Sequence, residues 1–423
     1  MPLFFSNTKK AASTLTCGLL TLATATDALA YTPDPALYEK ALEIQEKILT
    51  LDTHLDVPIV MMRPGFSLAD RHSVEEDFSQ IDFPRMKEGR LDGGFFSVYV
   101  GQGPRNPEAN KGAQEKGMAL VDMIHAAAEE LSDQCEIAYT VEDAYRIDEA
   151  GKNVIFMGIE NGWIIGRDLD MLEAYYDKGV RYFGIAHTRN NDLGDSSTDA
   201  NGMEWDGLSN LGKAAVKECN RLGIMVDISH IHDKTVWDVL ETTKTPVVAS
   251  HSGSYAEYPH PRNINDALLK AVKKNGGVIQ MNLFSAYMMD MPPNPERNKA
   301  FRAWFQKYRS GKELTAEEQA QSLVERRAIV EKYPRPAATV EDAVDHIDHM
   351  VKIMGIDHVG ISGDYDGGGG VTGANHVGEL PNITAEMLKR GYTEEDLEKF
   401  WGGNVMRVLK ACEDYAASLK AES

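Results

Sequence analysis

Histidines and carboxylates stand in this sequence at the ends of short apolar runs, the residue types that bind divalent cations and move protons. His54 and Asp56 form an H-x-D triplet, and in extended chain two side chains two positions apart leave on the same side. Glu160, His187, His230, His251 and Asp364 each close an apolar run of their own. Imidazole and carboxylate suit zinc and its neighbours. Taken singly these are weak signals. An H-x-D triplet reads as well as a surface turn, and one histidine as a satisfied core residue. Four histidines sharing one positional role with Glu160 and Asp364 point instead to a metal centre. His232 should lie beyond its strand, and His346 and His349 sit in a helical stretch (DAVDHIDHMVK) as surface or packing residues.

His54, Asp56, Glu160, His230 and His251 exceed what one four-coordinate zinc needs beside an open position, so two Zn2+ ions are expected. Glu160 is the natural bridge. Such a pair shares a hydroxide, generating a nucleophile at neutral pH, and polarises the electrophile. Asp364 would then carry a proton from attacking water to a leaving amine. His187 could stabilise the oxyanion of a tetrahedral intermediate. Arg262, in HPRNIND, could grip a substrate carboxylate bidentately, or form a surface salt bridge.

Residues so far apart in sequence need a scaffold that gathers them. Eight runs of strand length, rich in β-branched and aromatic residues, occur at 48–54, 93–100, 154–160, 180–187, 224–230, 246–251, 277–282 and 358–364. Amphipathic stretches separate them. Eight strands alternating with helices predict an α/β fold of the (β/α)8 TIM-barrel type, whose strand C-termini converge on one rim. No glycine-rich phosphate fingerprint follows the first strand, which disfavours a dinucleotide fold. The alternation breaks at about 283–339, between the seventh and eighth strands. A charged helical stretch there predicts an inserted helical segment that either packs on the barrel or serves as a lid or subunit contact.

The chain has 423 residues and a net charge of −21, which argues against nucleic acid or an anionic membrane surface as partner. Lys9 and Lys10, the mildly apolar run that follows, and Ala28-Leu29-Ala30 read as a signal peptide over 1–30. Residues 31–423 would form one exported domain, periplasmic or secreted, without a membrane anchor. Three cysteines remain in it, Cys135, Cys219 and Cys412, at spacings that match no thiolate zinc pattern. At most one internal disulfide follows, so the fold must rest on its core.

The sequence resembles the membrane dipeptidase (renal dipeptidase) family of the binuclear-metal amidohydrolase superfamily. The matching segments are DTHLD (52–56), GIENG (158–162), GIAHTRNNDLGDSS (184–197), GLSNLGKAAVKECNRLGIMVDISH (207–230), SHSGSYAEYPHPRNIND (250–266), VGISGDYDG (359–367) and GYTEEDLEKFWGGNVMRVL (391–409). The resemblance implies His54 and Asp56 on one zinc, His230 and His251 on the other, and Glu160 between them. It implies His187 as the substrate and oxyanion contact, Arg262 as partner of a C-terminal carboxylate, and Asp364 as the proton-transfer residue. Asp366 ranks below Asp364 because it should lie past the strand end. The implied activity is hydrolysis of dipeptides, with tolerance of a D-residue at the C-terminal position; some relatives also open β-lactams. A homodimer is left open. Alternatives are another binuclear amidohydrolase (deaminase, lactonase or β-lactam hydrolase) and a non-catalytic metal-retaining protein.

Overall fold

The eight apolar runs and one short segment form nine strands among the described residues: β1 (Leu51–Leu55), β2 (Gly93–Val98), β3 (Cys135–Ile137), β4 (Asn153–Ile159), β5 (Val180–Gly184), β6 (Met225–Asp227), β7 (Val248–Ser252), β8 (Val278–Asn282) and β9 (Val359–Ser362). The computed structural model describes residues 31–308 and 314–422. The expected signal peptide lies outside the described residues. Every ladder is parallel, in the order β1-β2-β4-β5-β6-β7-β8-β9, an eight-strand, nearly closed barrel. The last seam, between β9 and β1, has no regular ladder. The buried Asp52 spans it: one carboxylate oxygen accepts from the His54 amide (2.9 Å) and the other from the Gly363 amide (2.7 Å). The Asp56 amide adds a bond to the Tyr365 carbonyl (2.9 Å).

β3 was not expected. It pairs with the start of β4, and three residues are too few to show an alternation. β5, β6 and β9 also stop short of the ends of their sequence runs, so His187, His230 and Asp364 lie in the loops just past them.

Between strands, local chemistry sets helix limits. Ser209 caps the helix Asn210–Leu222 by accepting from the Gly212 amide, and Gly223, at φ 90°, ends it in the left-handed region. Asn265 and Gly276 bracket Asp266–Asn275 in the same way. Inside the barrel, Leu51, Phe95, Phe156, Tyr182, Met225, Val248 and Val278 form an apolar plug beneath the rim, closed below by Val405, Met406 and Leu409. Phe95 stacks on Phe156 at 4.7 Å between ring centroids. The rim residues thus rest on a rigid floor.

The insertion between β8 and β9 contains the helices Pro295–Tyr308 and Ala316–Lys332. Trp304 is buried between them and donates to the Ser322 carbonyl (2.9 Å). Arg327 then ties the second helix to the Glu75 and Glu76 carbonyls (3.0 and 2.7 Å), in the loop that follows β1. Cys135, Cys219 and Cys412 are free thiols, all buried. Among the described residues, no helix is long and apolar enough to cross a membrane.

Candidate metal centre

The rim brings together residues spread over some three hundred positions. Glu160 Oε1 lies 3.5 Å from His54 Nε2, 3.3 Å from His187 Nε2, 3.2 Å from His230 Nε2 and 3.6 Å from His251 Nε2. Four imidazoles therefore point one nitrogen each at a single carboxylate oxygen. His54 Nε2 is also 3.5 Å from Asp56 Oδ2. Three overlapping groups have donor atoms close enough to share an ion: His54, Glu160 and His251; Glu160, His187 and His230; His54, Asp56 and Asp364.

Without a cation this cluster is poorly satisfied. His54 Nε2 and Asp56 Oδ1 are buried with no hydrogen-bond partner. His230 Nε2 and His251 Nε2 face each other at 2.7 Å. Native interiors seldom leave such atoms unpaired, and nitrogen and oxygen donors converging on one volume suit zinc. The residues present fit the metal centre that the sequence implied.

The electrostatics express the same crowding. Burial opposes a charged His54, but Tyr182, Asp56 and Glu160 outweigh it and hold the imidazole well above its ordinary range. Burial, then His54 and Arg262, push His251 well down; burial, Arg262 and His187 do the same to His230. Burial would raise Glu160, yet His187 and His54 hold it well below the usual carboxylate range. A buried anion among imidazoles is the environment that retains a divalent cation.

Supporting residues orient these candidate ligands, and several escaped the sequence reading. With its proton on Nδ1, His54 donates to Tyr182 Oη (2.8 Å) and keeps its Nε2 lone pair for a cation. His251 Nδ1 meets Ser250 Oγ (2.8 Å), which donates to Asp227 Oδ2 (2.6 Å). A polar group within a strand run, Tyr182 in VRYFG and Asp227 in MVD, marks a polar tip there but not the partner it meets. Gly158 makes room for Tyr182, since a Cβ there would fall within the phenol ring. Gly367 does the same for Asp56, whose carboxylate a Cβ would strike. Tyr182→Phe should lower metal affinity or turnover about 10- to 100-fold, the usual loss for a hydrogen-bonding neighbour of a ligand. Titration with a chromophoric zinc chelator would measure it, and unchanged affinity with unchanged turnover would refute the role.

His230 and Asp364 adopt positive φ, 67° and 51°. Such backbone at non-glycine residues is uncommon and concentrates at functional sites. Asn282 Nδ2 holds Asp364 Oδ2 at 3.0 Å. Asp366, also at positive φ, faces away into the Gln80 loop, where it accepts from the Gln80 amide at 2.8 Å. Arg262 is buried. Its Nη2 donates to the His251 carbonyl (2.9 Å), its guanidinium lies over Tyr287 (5.3 Å to the centroid), and its Nε has no partner. Among the described residues Arg262 does not form the surface salt bridge left open from sequence. His346 is a buried packing residue that accepts from the Ser254 amide, and His232 caps the helix Asp233–Thr242.

An eight-stranded parallel barrel with this cluster on its C-terminal rim is the architecture of a metal-dependent hydrolase. The chain belongs to the membrane dipeptidase family (peptidase family M19), whose model matches residues 38–423. It is 33% identical over 361 residues to the dipeptidase tcpJ of Claviceps purpurea, covering 84% of this chain and 75% of that protein. It is 32% identical over 350 residues to the dipeptidase aclJ of Aspergillus oryzae, covering 82% and 73%. Among solved structures, the probable dipeptidase PvdM from Pseudomonas aeruginosa superposes with a TM-score of 0.76 at 30% identity, covering 90% of this chain and 99% of that one. The protein is a metal-dependent dipeptidase.

Proposed function

We propose that this chain is an exported dizinc dipeptidase that cleaves L-Xaa-L-Xaa and L-Xaa-D-Xaa dipeptides. One observation carries the reading: four histidine Nε2 atoms lie within 3.6 Å of Glu160 Oε1. His54 and Asp56 would hold one zinc, His230 and His251 the other, with Glu160 between. Zinc bound there supplies a Lewis acid and activates water at neutral pH.

The chain's own residues account for the remaining tasks. Arg262, buried beside His251 with its Nε unsatisfied, is placed to bind the C-terminal carboxylate of a dipeptide. That anchor sets the scissile carbonyl over Glu160. His187 is the most exposed of the four histidines, with 19% of its side chain accessible, and can donate to the oxyanion that develops there. Asp364, steered by Asn282, takes a proton from water and returns it to the amine. The signal-peptide pattern of residues 1–30 supports export, and residues 31–423 would act as one catalytic domain.

Purified zinc-loaded protein assayed on L-L and L-D dipeptides tests the reading, with metal counted in the same sample. Release of both amino acids is expected. No release with two zincs bound would favour a metal-retaining protein without turnover. Arg262→Ala should raise KM for substrates with a free C-terminal carboxylate by about tenfold or more, the scale of one charge-assisted pair. An equal effect on the C-terminal amides would contradict that role.

A further inference from the structure

Across the barrel mouth from Arg262 lies a second polar recess. In the ring of eight strands, β2 stands diametrically opposite β7. A dipeptide anchored by its carboxylate at the loop after β7 and cleaved over Glu160 therefore extends its N-terminal residue toward the loop after β2. There Gln102 and Arg105 meet Arg189, Asn190, Asp199 and Glu204 around a cavity of about 400 Å³. The cavity is linked to the reaction centre through the loop after β5. Arg189 is two residues past His187, whose Nδ1 lies 3.4 Å from Tyr99 Oη. Burial raises the Tyr99 phenol most, Glu160 and Asp56 add to that, and Arg189 opposes it.

The charges in this recess are not equally available. Arg105 Nη2 contacts both Glu204 oxygens at 2.8 Å. Asp199 accepts from the Asn190 amide (2.8 Å) with one oxygen and from the amide and side chain of Asn201 (2.8 and 3.0 Å) with the other. Gln102 Nε2 donates to the Asn190 carbonyl (2.7 Å), while its Oε1 is buried without a partner. Arg189 is exposed and has no ion pair among the described residues. One guanidinium outside any ion pair thus lines the recess; its charge adds to the Asn201 and Asn190 hydrogen bonds that hold the Asp199 carboxyl low against burial.

We propose that Arg189 makes this recess a subsite for an acidic N-terminal side chain, pairing its guanidinium with the carboxylate of an Asp-Xaa or Glu-Xaa dipeptide. A planar guanidinium matches a carboxylate in two-pronged fashion, and an amide isostere lacks the charge. The inference rests on the dipeptidase reading and adds a substrate class to it.

The test compares kcat/KM of the zinc-loaded enzyme for Glu-Ala, Gln-Ala, Lys-Ala and Ala-Ala. Glu-Ala should exceed Gln-Ala by roughly tenfold, chiefly through KM, and the margin should shrink at high salt. Arg189→Met should bring the two substrates to parity, and Arg189→Glu should turn the preference toward Lys-Ala. Thermal melting of both variants establishes that each is folded, as expected for a surface position. Parity in the parent enzyme, or a Glu-Ala preference that survives both substitutions, overturns the subsite. Cleavage of Ala-Ala with no charge preference sinks this inference alone. Failure to cleave any of the four dipeptides removes the dipeptidase reading and the subsite with it.

Discussion

Glu160→Ala should leave a folded barrel that retains little metal and has lost turnover by more than about 10³-fold, since nucleophile support and charge stabilisation vanish together. The geometry gives the reason. The carboxylate oxygen removed is the single atom around which His54, His187, His230 and His251 converge. With it gone, a divalent cation would face imidazoles without the central anion, and Asp56 would remain to one side. Glu160→Gln separates charge from shape: it should lose most of the metal while disturbing the packing less. Two measurements check this. Elemental analysis should show metal falling well below the parent's content. The parent's melting temperature should rise on adding zinc, by an amount equivalent to about 2.7 kcal/mol at a hundredfold excess over Kd, and the alanine variant's should not. Full metal content with near-normal turnover in Glu160→Ala would dismantle the proposed centre.

The scaffold was legible because parallel barrel strands are buried on both faces and so read as continuous apolar runs. VIFMGI is a plain example. Each of the eight runs contributes a barrel strand. β3 escaped because Cys-Glu-Ile is too short for any periodicity to register. Strand ends were overrun for a different reason. After Gly184 and Asp227 the chain stays apolar while leaving the ladder, and composition does not record hydrogen bonding. The convergence of His54, Glu160, His187, His230 and His251 could be anticipated once a common rim was assumed, because topology alone brings strand ends together. Their supports could not. Nothing in the spacing of Tyr182, Ser250 and Asp227 marks them as partners of His54 and His251, since those contacts depend on side-chain direction within the barrel. Asn282 ends its run as plainly as the histidines end theirs. A neutral amide carries no metal signal, and its bond to Asp364 emerges only in three dimensions.

Asp364→Asn should keep the metal and lower kcat roughly 10²–10⁴-fold, the range for a lost general acid–base group. Asparagine is the informative replacement. It shares aspartate's tolerance of left-handed backbone, so the φ of 51° adds little strain, whereas alanine would strain the loop. It also preserves an oxygen for Asn282 Nδ2. What it cannot do is take up and return a proton. The carboxylic acid is suited to both: burial raises it, His54 offsets part of that, and Asp56 and Glu160 add to it, leaving the group at about 7. A carboxyl so placed exchanges protons near neutrality, the property required of a shuttle between water and amine. The alternative role is as a ligand, because Asp364 groups with His54 and Asp56 within reach of one ion. Metal content separates the two. A variant with full metal and little turnover identifies a proton carrier. A variant that loses metal in step with activity identifies a ligand and ends the shuttle assignment.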